Sequence, residues 1–377
     1  MASYIEVIRN SFAYFPLVAF VFSIPYIIQN YHEYGSIISI RVLIVYSFIL
    51  YLMTAYFLVI LPLPSFEEVA AMTSQRLQLL PFNFVLDIID EAQKTHVAIY
   101  RNKALLQVVF NVLMTVPFGV YLRYYFEFDF KKTLKYSFLL SLFFELTQLS
   151  ALYFIYPRPY RLADVDDLMA NTLGGVLGYY LAIIPIKILP SRKQIDTEAM
   201  KLGRTISPLR RMVAFGIDVL IIAVFDTLSS FLFSRVREYP LYFLAFSFVA
   251  YFLVLPVITD GFTIGSKYIK IRIVSSIRKR DMDNDLPNKE LISRFQIFIR
   301  YGLVAFYLLE VPVLMVNFMN YLKDVVDIEY RFIIYIMVIG LYLSVIVVDF
   351  MMVMFSRRSI SERISRTKTI SIVRKVD

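Results

Sequence analysis

The stretch RPYRLADVDDLMANTLGGVLG, residues 158–178, concentrates two arginines, three aspartates, an asparagine and three glycines directly before and inside an apolar segment. Helical residues three and four apart share a face, so Asp164, Asp167, Asn171, Gly174 or Gly175, and Gly178 are expected to form one stripe. The upper part of that stripe offers carboxylates and an amide. The lower part, Gly174 with Gly178, has the spacing that lets a second helix approach to backbone contact. One segment earlier, SLFFELTQLSALYF puts Glu145 near mid-span, with Gln148 one turn further on a common face. A carboxylate at that depth is costly unless it is protonated, paired or hydrated, and the nearest cations along the chain on that side are Arg158 and Arg161. These residues predict a pocket lined by Glu145, Gln148, Arg161, Asp164, Asp167 and Asn171, or else a closed network that only staples two helices. Asp166 lies off the stripe and is expected to complement the helix dipole.

A second polar set follows. In LRRMVAFGIDVLII, Arg211, Ala214 or Phe215, and Asp218 share a face, and Asp226 continues on the same side. With Glu310 and Asp349 this places four acids inside apolar segments, a pattern that suits an ion relay. Arg211, Arg294 and Arg300 are the expected counter-charges for Asp218, whereas Asp226 and Glu310 have no obvious cation. The chain has no cysteine and only two histidines, His32 and His96, which excludes disulfides, thiol catalysis and the usual zinc ligand sets. No metal or cofactor is expected.

The elements that must hold these residues are membrane helices. The 377 residues are 59% hydrophobic with a mean hydropathy of +0.64, and apolar runs recur along the whole length. Nine spans are expected near 12–28, 42–61, 104–122, 134–156, 168–189, 212–233, 241–258, 301–319 and 332–355, giving an all-α polytopic bundle. The first of them carries Pro16 and Pro25, lacks a basic leading region and a cleavage site, and reads as retained. Two halves are expected, a five-span domain over 1–190 and a four-span domain over 211–377, joined by a basic linker over 191–210. Lysine and arginine richness places that linker, the 260–300 connection and the tail in the cytoplasm. Alternation then puts the 62–103 connection, the 158–167 turn and the amino terminus outside. Residues 84–100 have the pattern of an amphipathic helix, lying on the outer membrane surface or else standing as an ordinary solvated loop helix. Ile269, Ile271 and Ile273 alternate with Lys270 and Arg272 at a strand period, and the tail TKTISIVRKV is similar, so the two are expected to pair as a small cytoplasmic sheet near anionic headgroups. The 261–267 stretch lacks the spacing of a phosphate-binding loop.

The blocks QLLPFNF, NVLMTVPFG, FLLSLFFELTQL and RLADVDDLMANTLGGVLG resemble, in order and spacing, the VanZ-like family of bacterial membrane proteins, over about residues 42–190. Carried over by that resemblance, the characteristic positions are Glu145, Gln148, Arg161, Asp164, Asp167, Asn171, Gly174, Gly175 and Gly178. Pro81, Phe82, Asn111, Pro117 and Gly119 precede them. The resemblance implies a bacterial plasma-membrane protein associated with lowered susceptibility of Gram-positive bacteria to teicoplanin and other lipid-tailed glycopeptides. Richness in Ile, Lys, Phe and Tyr also hints at a low-GC Gram-positive source.

Over about 205–377 the chain resembles the RDD family: Arg211 and Asp218 match its opening motif, GFTIGSKYIKIRIV its central block, Arg300 a later arginine and SISERISRTKTI its closing motif. Two positions depart from it. Ser361 and Glu362 stand for the usual His-Asp pair, and Ser266 for the lysine after Gly265, with Lys267 beside it. Some members of that family are linked to sodium or proton exchange.

Three function classes compete. The favoured one is an envelope-protective binding protein whose outward pocket engages membrane lipid, a lipid-linked cell-wall component or a lipoglycopeptide. The runner-up is a secondary transporter or sodium/proton exchanger using Asp218, Asp226, Glu310 and Asp349, with Glu362 of the closing motif, as a relay. The third is a membrane enzyme with Glu145 as base and Arg161 as anion clamp. No nucleophile or metal set supports it, so the balance is against an enzyme. Nucleic acid is not an expected partner, and the sequence leaves the oligomeric state open.

Overall fold

Long apolar segments must close their backbone hydrogen bonds internally, and in the computed structural model of this chain they do so as helices. The structure describes residues 2–73, 76–96, 98–233, 238, 240–276, 292–356 and 358–373; parts of the 260–300 connection and of the tail lie outside them. Among the described residues, seven helices are long and apolar enough to cross a membrane: Arg9–Glu33, Ser39–Ile60, Lys103–Tyr124, Val165–Ile188, Pro208–Leu232, Arg294–Lys323 and Tyr330–Phe355. Two shorter ones, Phe130–Leu149 and Tyr242–Ile258, occupy the other expected positions. The chain divides into two compact units, Met1–Pro25 with Ile38–Asp196, and Tyr26–Ile37 with Thr197–Asp377.

In the first unit, α1 (Ala2–Glu33) and α2 (Ser39–Ile60) lead into α3 (Phe66–Ala71), the short strand β1 (Leu77–Gln78) and α4 (Asn83–Thr95). Helix α1 begins in this unit and passes into the other at Tyr26. Helix α4 is amphipathic and has no buried residue, as its surface pattern predicts. Helices α5 (Lys103–Tyr124) and α6 (Phe130–Leu149) follow. The span expected over 134–156 ends early, at Leu149. Beyond it α7 (Ala151–Phe154) is a single turn whose φ angles, 55° to 65°, lie in the left-handed region that side chains with a Cβ disfavour. Strand β2 (Ala163–Asp164) pairs in parallel with β1, and α8 (Val165–Leu181) and α9 (Ile183–Ile188) complete the unit's spans.

Glycines decide how α8 packs. A Cβ on Gly174 would stand 2.1 Å from the Val112 carbonyl oxygen, and one on Gly178 2.0 Å from that of Val116, so α8 meets α5 backbone to backbone. Gly119 of α5 returns the contact against the Gly175 carbonyl at 1.9 Å, and Gly175 itself faces Ser137 of α6. The small-residue stripe therefore docks chiefly on α5.

The expected linker over 191–210 is mostly helical: α10 (Arg192–Gly203) occupies it, and Asp196 takes an ion pair from Arg41 at 2.5 Å. The second unit continues with α11 (Pro208–Leu232), started by the Ser207 side chain on the Arg210 N–H at 3.2 Å. Two later helices contain π-helical turns, at Ala250–Val254 and Phe306–Glu310, each followed two residues on by a proline, Pro256 and Pro312. A proline ring crowds the carbonyl four residues back and supplies no N–H, so the preceding turn widens. The strand expected from the 269–273 alternation forms as β3 (Ile271–Ser275). It pairs antiparallel with β4 (Thr367–Ser371) in the register Ile271 to Ser371 and Ser275 to Thr367. It starts at Ile271 because Ile264–Tyr268 is a short helix and Lys270 turns the chain at a φ of 57°.

Candidate functional site

In the first unit, α2, α5, α6 and α8 enclose a cavity of about 900 Å³. Glu145, Gln148, Arg161, Asp167 and Asn171 line it, together with Lys103, Gln107 and Asn111 of α5. The rest of its wall is apolar, from Leu58, Val59, Leu106, Val109, Leu113 and Met114.

Backbone groups hold several of these side chains. Asp164, which the stripe placed in this lining, is instead the N-cap of α8: its carboxylate accepts the Asp166 N–H at 2.8 Å, and its own N–H donates to Glu145 Oε2 at 2.8 Å. Burial raises the Asp164 carboxyl above its ordinary range, against the Asp166 N–H and with the Asp166 charge. Asp166 does more than complement a dipole. Its two oxygens accept the N–H groups of Phe82 at 2.6 Å and Phe84 at 2.8 Å, clamping the segment that carries Pro81 and starts α4. Asp167 accepts from Asn111 Nδ2 at 2.6 Å. Arg161 makes no ion pair with Glu145 among the described residues. Its guanidinium donates to the Leu58 and Leu61 carbonyls, where the C-terminal end of α2 presents unpaired acceptors to a cation.

Among the described residues, two acceptors in the lining remain without donors. Gln148 is 9% exposed, and its Nε2 donates weakly to the Val59 carbonyl at 3.4 Å, but its Oε1 is buried with no partner. Asn171 is 3% exposed, and its Oδ1 is likewise buried and unpartnered. Buried polar atoms are seldom left so, and both keep unused acceptor capacity. Lys103 and Gln107 were missed by the reading of the stripe. Their signal was present: Lys103, Gln107 and Asn111 recur every fourth residue on an otherwise apolar helix, which is one helical face.

The second unit gathers a different set. Glu362 is fully buried and receives Arg211 Nη1 at 2.8 Å on one oxygen and Arg300 Nη2 at 2.9 Å on the other, with Thr369 Oγ1 donating at 2.5 Å. Burial opposes its ionisation, yet Arg300 and Arg211 hold its carboxyl down at about 2. Asp218 therefore pairs with neither arginine. Its carboxylate accepts from Tyr251 OH, Thr263 Oγ1 and the Gly265 N–H, each at 2.6 Å. Gly265 is required there, since a Cβ would lie 2.2 Å from the Ala214 carbonyl oxygen. Asp349 accepts the Ile360 N–H at 2.6 Å and, with Arg211, Asp218, Arg300 and Glu362, borders a cavity of about 350 Å³. The other two acids of the expected relay are not brought here. Glu310 is exposed, and Asp226 keeps both buried oxygens without a partner among the described residues, away from this cavity. Arg210, the neighbour of the residue singled out by sequence, is fully buried and donates to the carbonyls of Gly203, Ile269 and Lys270 and to Ser371 Oγ.

Residues 48–187 of the chain match the family model described as VanZ/LLP1. No curated protein and no solved structure matches the chain.

Proposed function

We propose, from the VanZ-like character of residues 48–187, that the first unit is an envelope-protective binding site for an acyl-tailed or lipid-linked amphiphile, in a protein of the bacterial plasma membrane. The observation that carries this reading is the mixed lining of the α2–α5–α6–α8 cavity, which combines Lys103, Asn111, Glu145, Arg161 and Asp167 with the apolar Leu106, Val109, Leu113 and Met114. Its volume of about 900 Å³ suits a ligand of drug size, for which pockets run from roughly 300 to 1,000 Å³. A polar head against the first set of residues and a chain along the second satisfies both. In this reading the 62–103 connection and the 158–167 turn face outward, the amino terminus is outside and the carboxy terminus cytoplasmic. Occupancy then limits access of a lipid-tailed glycopeptide to its target, or retains a lipid-linked cell-wall component.

The transporter reading rests on the second unit and on the RDD resemblance of about residues 205–377. The gathering of Asp218 and Asp349 around one cavity favours it. The two-arginine lock on Glu362 and the separation of Asp226 and Glu310 count against a continuous relay, so it stays second.

The test is resistance in a susceptible host. Glu145→Gln and Asp167→Asn, each keeping shape while removing charge, are expected to abolish protection against a lipoglycopeptide while protein abundance stays near that of the unmodified chain. Undiminished protection in a properly inserted variant would sink the binding reading in favour of a helix staple.

A further inference from the structure

As an amphiphile site, the α2–α5–α6–α8 cavity is more selective toward the head of its ligand than toward the tail, and the choice of head rests on that amphiphile reading. Its polar groups are of both kinds. Glu145 and Asp167 are acceptors, and each carboxylate has lone pairs beyond those that accept from Asp164 N–H or from the Asn111 and Gln107 side chains. Gln148 Oε1 and Asn171 Oδ1 are acceptors on side chains more than nine-tenths buried, and neither has a donor. Against these, Lys103 and Arg161 line the cavity as cations.

The balance discriminates among head chemistries. A phosphate head offers acceptors almost alone and would be brought against two carboxylates and two orphaned carbonyl oxygens. An ammonium head offers donors alone and would be brought against Lys103 and Arg161. A hydroxyl donates one hydrogen bond and accepts two, so several hydroxyls on one ring can meet both sets without burying a net charge. Phe110 also lines the cavity, a flat apolar surface of the kind a sugar ring's C–H face packs on. We infer that this cavity selects an amphiphile with an uncharged polyhydroxylated head, a glycolipid or alkyl glycoside, whose hydroxyls donate to Gln148 Oε1 and Asn171 Oδ1.

The experiment uses the full chain in lipid nanodiscs and three probes of equal tail, octyl glucoside, octylammonium and octyl phosphate, each below its micellar concentration. Binding is measured by equilibrium dialysis against empty nanodiscs. Saturable octyl glucoside binding is expected, with the other two weaker. Gln148→Leu and Asn171→Leu should each weaken it about tenfold while the ligand-free melting temperature is unchanged. If either variant is not folded, Gln148→Met, similar in volume and lacking the acceptor, gives the same reading. Equal or tighter binding of octylammonium or octyl phosphate with the same sensitivity overturns the polyhydroxylated head and leaves the amphiphile reading standing. Octyl glucoside binding that ignores the substitutions overturns the assignment of these two oxygens. No saturable binding of any probe overturns this inference and the amphiphile reading together.

Discussion

Glu362 shows how one carboxylate organises a cluster. Two guanidinium groups and the Thr369 hydroxyl converge on a side chain that water does not reach, and the arginines overcome the cost of burying the charge. Its carboxyl is depressed from about 4.5 to about 2, so its stabilisation is fully present above about pH 4.5 and is lost as the pH falls toward 2. A shift of that size corresponds to an order of 3 kcal/mol. Glu362→Gln is therefore expected to lower the melting temperature of the detergent-solubilised protein at neutral pH. The gap to the unmodified chain should narrow progressively between about pH 4.5 and 2. A gap that is constant over that range would show the charge to be irrelevant. The position was singled out from the sequence only through a resemblance. Its partners were not legible: Arg210 and Arg211 are adjacent, their side chains about 100° apart on the helix, and only the packing of α11 decides which one enters the backbone cage and which meets Glu362.

At the scale of elements, the α5–α8 contact fixes the cavity's α5 and α8 polar groups relative to one another, because Asn111 and Asp167 bridge the same pair of helices whose glycines touch along the contact. The atoms facing Gly178 are backbone and cannot rotate away. Gly178→Ala is thus expected to cost at least about 2 kcal/mol and to reduce the yield of monodisperse protein in detergent. Gly340→Ala is the control: nothing lies within 4 Å of a Cβ there, and its effect should stay within about 1 kcal/mol. Equal behaviour of the two variants would show that the close approach does not matter. The spacing of Gly174 and Gly178 made a close helix contact legible. The identity of the partner was not, because α5 and α6 each present small or polar residues at matching intervals, and it is Gly119 that admits α5.

For the whole molecule, the connections that pair with one another constrain topology. Strand β1 pairs with β2, so the 62–103 connection and the 158–167 turn share a side, as do the start of α2 and α10 through Arg41 and Asp196. These pairings agree with alternation of the spans, while the sense of insertion rests on the distribution of lysine and arginine. Since the chain has no cysteine, single introduced thiols report without background. Glu67→Cys, at an exposed position, is expected to react with a membrane-impermeant maleimide in intact cells, and Lys193→Cys only after lysis. The opposite pattern would turn the cavity's polar mouth toward the cytosol and remove it from any extracellular ligand.

The sequence by itself determined the class of this protein and the positions of its membrane helices, because apolar runs of this length have one way to satisfy their backbone in lipid. It also determined the helical face shared by Asp167 and Asn171, and the strand period around Ile271, since both are local repeats. Only the tertiary structure decided that Asp164 caps α8 instead of lining the cavity, that Asp166 clamps the Phe82–Phe84 backbone, that Lys103 and Gln107 join the site, and that Asp226 and Glu310 stay outside theirs. Those outcomes depend on which helix supplies the partner across a contact, and a hydrogen bond between residues 82 apart in the chain leaves no period in the sequence to read.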